Sequence, residues 1–275
     1  MRKRVSTTLL YIFLFSYSLL SIYPIIWMIL YSFKNNEEIF VTNPFGIPKE
    51  FRIENYVRAW TEYDILTYFM NSVIVTLSVV GLTLIISLMF AYATARMKWK
   101  LSNAAKIYVV AGLFIPVQII LIPLLILVRD AGLSNSWLSL IVPYTAFQIS
   151  FSSFVINGFF RSIPNDLEES AAIDGAGIYT IFLRIMVPIV SPAVATVAIF
   201  VFLHSWNEFT MALILISEQS LKTLPLGLLS FQGQFNTDWG AMGAALTIAS
   251  VPTVIMYVLF SERVERALSV GGAVK

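Results

Sequence analysis

The chain has 275 residues, of which 58% are hydrophobic and 12% charged, against about 25% charged in ordinary soluble domains. A chain this apolar would leave a large greasy surface in water, which excludes a soluble domain and makes the bilayer its natural solvent. It has no cysteine, which excludes disulfides, thiolate metal sites and cysteine nucleophiles, and a net charge of +2 is too small to point to nucleic acid.

A helix needs about 20 mainly apolar residues to cross the hydrocarbon core. Six stretches qualify, near residues 7–32, 69–95, 104–127, 137–160, 188–213 and 241–260. The first follows Arg2-Lys3-Arg4. It is longer than the roughly 7–15 residues of a signal-peptide core and no A-x-A-like site follows it, so it reads as a retained span. The expected fold is therefore all-α: a polytopic membrane protein with six transmembrane helices, one domain over residues 1–275.

Pro24, Pro116, Pro123, Pro143, Pro188, Pro192 and Pro252 fall within or beside spans, where each removes a backbone donor and can kink a helix. Between spans one and two, residues 33–68 hold the amphipathic run 53–60; between spans five and six, residues 217–239 are rich in Gln, Ser and Gly. Neither connection is long enough to be a domain of its own. The sixth span opens with Gly240/Ala244 and Gly243/Thr247 at small-xxx-small spacing, a face that allows close helix approach within this chain or to a partner.

Orientation follows from the basic residues. With the N-terminus inside, the cytoplasmic set is Arg2, Lys3, Arg4, Arg96, Lys98, Lys100, Lys106, Arg161, Arg184, Arg263, Arg266 and Lys275. The outer set is Lys34, Lys49, Arg52, Arg58, Arg129 and Lys222. Both termini then lie in the cytoplasm, and so does a polar island between spans four and five.

That island reads Pro164-Asn165-Asp166-Leu167-Glu168-Glu169-Ser170-Ala171-Ala172-Ile173-Asp174-Gly175-Ala176. Pro164 disfavours helix at Ile163. Asn165 or Asp166 is a suitable N-cap, with Glu168 or Glu169 three residues on to complete a capping box. The helix 166–174 is short, roughly 14 Å at 1.5 Å per residue, and Gly175 can take the left-handed conformation that ends it. Residues 178–186 read as a second amphipathic helix, stopped by Pro188. Helices this short are marginal alone, so something packs on them. Ala171, Ala172 and Ala176 offer a small-residue surface, and the carboxylates could pair with a partner's Arg or Lys.

The island resembles the EAA loop of ABC-importer permeases: E-A-A, three residues, G, nine residues, I-x-L-P. Here it runs Glu169-Ser170-Ala171, then Gly175, then Ile185-Met186-Val187-Pro188, with every spacing intact; Ser170 replaces the first Ala and Val187 the Leu. Asn71-Ser72, Ala91-Tyr92-Ala93-Thr94-Ala95-Arg96, Trp206-Asn207-Glu208-Phe209 and Gly271-Gly272-Ala273-Val274-Lys275 extend the likeness to carbohydrate permeases of the maltose-system G-subunit type.

That resemblance implies a type I ABC-importer transmembrane domain in a bacterial-type inner membrane. Its coupling loop would span about 161–188 and dock on a cytoplasmic ATPase. Glu169, Ser170, Ala171, Asp174, Gly175, Ile185 and Pro188 would sit at the joint. It further implies a second permease subunit, an ATPase dimer and an extracytoplasmic solute-binding protein. This chain has no G-x-x-x-x-G-K-[ST] loop. It is expected to bind no cofactor, to perform no covalent chemistry and to leave ATP to the partner.

Sugars need hydrogen-bonding groups beside aromatic faces. Gln148, His204, Trp206, Asn207 and Glu208 are the candidates for a substrate path, with Tyr144 and Phe147 nearby in sequence. An ionisable residue at membrane depth faces a bundle interior or a water-filled cavity, and alternatively Glu208 sits at the outer interface while His204 makes one interhelical bond. The competing functions are the same machinery carrying a glycerol phosphodiester or polyamine, and an ion-coupled secondary carrier.

Overall fold

The computed structural model describes residues 2–233 and 237–272, with side chains described for 7–233 and 237–260. Residues 273–275 of the closing Gly-rich run, with Lys275, lie outside the described residues, as do the side chains of Arg2, Lys3, Arg4, Arg263 and Arg266. Helices dominate, and the described residues contain only one isolated β-bridge, Gln232 to Thr237.

Helix α1 is Arg2–Tyr31, α2 Glu54–Thr61, α3 Ile65–Ala95, α4 Ser102–Ala111 and α5 Val117–Asp130. Then come α6, Leu138–Ser162, α7, Asp166–Ile173, and α8, Ile178–Ile189. Helices α9, Ser191–Asn207, α10, Thr210–Leu215, and α11, Trp239–Gly272, close the chain. Among the described residues four helices are long and apolar enough to cross a membrane, or up to six if each of two bent pairs is one span.

The bends correct two expectations. The third span is not one rod: its halves meet at 105° around Ile115-Pro116. Pro116 lacks an N–H and Ile115 is extended, as residues before proline tend to be. The fifth span does not begin at Pro188, and Pro188 does not stop the preceding helix. Helix α8 runs through it to Ile189, and the 73° bend follows at Val190, ahead of Pro192. A π-type turn over Ile181–Met186 precedes Pro188, and such re-spacing of the ladder accommodates a missing donor.

The chain packs as two compact units. The first comprises residues 1–66 and 227–251. Its segment after α1 is organised by Lys34, which is 1% exposed and donates to the carbonyls of Asn43 (2.6 Å) and Gly46 (2.7 Å). Asn55 reaches back to the carbonyls of Ser32 (2.8 Å) and Lys34 (2.9 Å), and Arg58 pairs with Asp238 at 2.7 Å. The small residues opening α11 are used inside this unit. A Cβ on Gly243 would fall 2.3 Å from the Tyr31 ring, and one on Gly240 would fall 2.5 Å from the Lys34 carbonyl oxygen.

Overpacking of this kind costs about 1–3 kcal/mol. Gly243→Val is therefore expected to lower the melting temperature of the detergent-solubilised protein, while Gly81→Ala, where a Cβ meets nothing within 4 Å, leaves it unchanged.

The second unit comprises residues 67–226 and 252–275. Its core gathers Val75, Val79, Tyr92, Leu140, Tyr144, Ile156, Phe160, Met186, Val197, Val201 and Met211. Helix α6 is central: 61% of its most apolar stretch is buried by protein, against 0% for α1. That burial explains why α6 tolerates Thr145, Gln148, Ser150, Ser152, Ser153 and Asn157. Polar groups facing helices rather than lipid can find partners, and Asn157 donates to Thr94 Oγ1 at 2.9 Å.

Candidate functional site

Residues 161–188 form a helix-turn-helix built from local chemistry. Asn165 stands at the N-cap of α7, but its side chain makes no capping bond, so the expected capping box is not formed. Its carbonyl accepts instead from the amides of Glu168 (2.9 Å) and Glu169 (3.1 Å). At the other end Gly175 has φ +83°, the left-handed conformation expected of it. Its amide bonds the Ala172 carbonyl and that of Ala176 bonds the Ala171 carbonyl, both at 3.0 Å.

The two faces of this element differ. Glu169, Ser170, Ala172, Asp174 and Gly175 are exposed, Ile173 is 86% exposed and Tyr179 81%. Ala171 and Ala176 pack against the chain's own core. The expected three-alanine surface therefore reduces to Ala172, because helical spacing turns Ala171 inward. Ile185 is half-buried and Pro188 exposed.

Glu168 has a partner within the chain. Arg96, just after α3, donates to Glu168 Oε2 from Nε and Nη2, both at 2.6 Å. Its Nη1 donates to the carbonyls of Ile163 (2.9 Å) and Phe160 (3.3 Å). The guanidinium side chain is only 5% exposed. One planar fork thus serves the end of α6 and the first turn of α7 together, which a point charge could not do. Sequence reasoning placed Arg96 among the orienting charges and in the run 91–96 that carries the resemblance, without a partner for its side chain, and gave the carboxylates to another subunit. The available signal was Arg96 closing the Ala91–Ala95 run beside a carboxylate-rich turn on the same side of the membrane.

The five candidates for a substrate path separate. Glu208 follows α9 and caps α10: its carboxylate accepts from the amides of Met211 (2.8 Å) and Ala212 (3.2 Å) and from the Tyr144 hydroxyl. Trp206 is buried, stacked on Phe202 at 5.7 Å and edge-on to Phe69 at 5.4 Å. Asn207 is exposed and bonds the Leu203 carbonyl at 2.8 Å. Gln148 and His204 are brought together, lining one cavity of about 530 Å³ beside the break in the third span.

The family described as binding-protein-dependent transport system inner membrane component matches residues 84–270. The chain belongs to it. This permease is 37% identical over 257 residues to the diacetylchitobiose uptake system permease protein NgcG of Streptomyces coelicolor, covering 93% of this chain and 85% of that one. It is 32% identical over 258 residues to the trehalose/maltose transport system permease protein MalG of Thermococcus litoralis, covering 92% of both. Its fold matches that of a bacterial ABC transporter involved in the import of the acidic polysaccharide alginate with a TM-score of 0.84. The match covers 95% of this chain and 97% of that one at 20% identity.

The family match contains the whole helix-turn-helix at 161–188, and the permease's multi-pass helical membrane fold agrees with the architecture expected from hydropathy. The permease is thus a transport component.

Proposed function

We propose that this permease is the translocating subunit of an ATP-driven importer that carries a sugar or oligosaccharide inward by alternating access. The observation that carries the proposal is the helix-turn-helix at α7–α8, exposed on Glu169, Ser170, Ala172, Asp174 and Gly175 and tied to the spans by Arg96. An acidic, apolar-edged element held rigidly at a membrane surface is a joint for a soluble partner. Residues 161–188 form the coupling loop, and Ile185 and Pro188 carry the motion toward α9.

In this reading a cytoplasmic ATPase dimer binds ATP and draws this coupling helix toward that of a second permease, and hydrolysis resets the pair. A solute-binding protein delivers cargo from outside, and both termini are cytoplasmic. The relatives named for diacetylchitobiose and for trehalose and maltose support sugar as cargo. An ion-coupled carrier needs a free intramembrane carboxylate. Glu208, the candidate, is already engaged by two backbone amides and a tyrosine hydroxyl.

The test is reconstitution. The permease should co-purify with an ATPase, and uptake into proteoliposomes should require ATP and the solute-binding protein. Uptake by the isolated chain in an ion gradient, with no ATPase present, would overturn the proposal.

A further inference from the structure

The first unit turns an apolar face outward just where α1 ends. The apolar part of α1, Thr7–Tyr31, has 25 residues. At 1.5 Å per residue it reaches about 37 Å, more than the roughly 30 Å of a hydrocarbon core. Its last turn therefore stands at headgroup level. Trp27 and Tyr31, with ring centroids 5.2 Å apart, suit the aromatic belt found at that depth.

Helix α2 is pinned at the same level. Asn55 donates to the carbonyls of Ser32 and Lys34, and the hydroxyls of Ser32 and Tyr56 meet at 2.8 Å. The Phe33 ring packs on Tyr56 at 5.2 Å and on Phe51 at 5.5 Å. These contacts use one side of α2, where Asn55 and Ala59 are buried. A second side is polar and carries Glu54, Arg58, Thr61 and Glu62, with Arg58 held by Asp238. The third side is apolar: Ile53, Val57 and Trp60 are each more than half exposed. Spaced i, i+4 and i+7, they share an arc of about 60° on the helix.

We propose that α2 is an interfacial helix, lying in the membrane plane with Ile53, Val57 and Trp60 in the boundary between lipid headgroups and acyl chains. The occupant of the exposed face is the lipid surface itself. Two observations favour lipid over a protein. The arc carries no charge, and the charged groups of α2 all lie off it on the polar side, as in helices that rest on a bilayer. The helix is also bonded directly to the end of a span whose last turns expose Ile25, Ile26 and Ile29 and whose apolar stretch is 0% buried by protein. An amphipathic helix held at that depth meets the interface before it meets anything soluble. Because α2 grips Ser32 and Lys34, a surface-bound α2 fixes the depth at which α1 leaves the membrane. This role is independent of what the permease carries and of what drives it.

The chain has no cysteine, so a single introduced one can report on each side of the helix. Val57→Cys and Glu62→Cys are each labelled with bimane in the full-length permease as purified from membranes. Both positions are exposed, so the label displaces no packing. The labelled protein is returned to vesicles of phosphatidylethanolamine and phosphatidylglycerol, with or without acyl chains brominated near the glycerol. An interfacial face lies roughly 5–10 Å into the boundary, so bromine should quench bimane at position 57 about twofold or more and leave position 62 nearly unchanged. Iodide in the water should do the reverse. Equal quenching of the two positions by either agent overturns the proposal, because the apolar side is then no more lipid-bound than the polar one. Protection of position 57 from both agents also overturns it, and places another protein chain on the face.

Discussion

Gly175→Val is expected to reduce ATP-driven uptake about tenfold or more while the permease still inserts in the membrane. The residue sits at φ +83°, and an added Cβ would meet nothing within 4 Å. The penalty therefore comes from the backbone and not from a clash. A non-glycine residue in this region costs roughly 1–2 kcal/mol, with β-branching adding to it. At 1.4 kcal/mol per factor of ten, that already shifts the local equilibrium severalfold to thirtyfold away from the native turn. Escape to negative φ would break the amide bonds from Gly175 and Ala176 to the last turn of α7 and redirect α8. Gly175→Asn should retain most uptake, since asparagine tolerates the left-handed region. The comparison is read in proteoliposomes with insertion checked in membrane fractions. Wild-type rates for the valine variant would remove the coupling role of this turn.

Gly175 was legible from sequence because its conformation is a local requirement, set by the short helix before it and the helix after it. The spans were legible for a similar reason: about 20 apolar residues have few alternatives in a bilayer. The bend at Pro116 was harder, because Pro24, Pro123, Pro143 and Pro252 all sit inside helices while Pro116 marks a 105° break. Composition alone does not say which prolines have neighbours able to take up the freed backbone groups.

The substrate candidates divide along the same line. Glu208 was open to two readings, facing a bundle interior or sitting at the outer interface, and neither foresaw its partners, Tyr144, 64 positions away, and two amides of a six-residue helix that the apolar run concealed. Gln148 and His204 were picked for their chemistry, and only packing shows that they share a cavity while Trp206 is buried against Phe69 and Phe202. Asn165 shows the converse: a suitable residue stood at the N-cap, and the carbonyl rather than the side chain was used.

Arg96 is the position where loss should cost stability and coupling together. In Arg96→Ala the Glu168 carboxylate, 18% exposed, and the carbonyls of Ile163 and Phe160 lose their donor. Removing one member of a buried pair costs about 3–5 kcal/mol, and the residual exposure of Glu168 places this case near the lower end. Arg96→Lys restores the charge, but a single ammonium cannot reach Glu168 and Ile163 in the same geometry. Glu168→Gln keeps an acceptor oxygen for the guanidinium and should be the mildest of the three. The expected order of damage is therefore alanine, then lysine, then the Glu168 variant, in the melting temperature and in solute carried per ATP hydrolysed. The second readout matters because the fork joins the end of α3 to the end of α6 and to α7, while the Tyr92 ring packs on Phe160 of α6 and Phe182 of α8. Under the coupling proposed above, a push on α7 would reach these helices as one body, and without the fork α7 would move while α3 and α6 stay. An Arg96→Ala permease that melts and transports like the wild type would show that the aromatic contacts alone carry the motion.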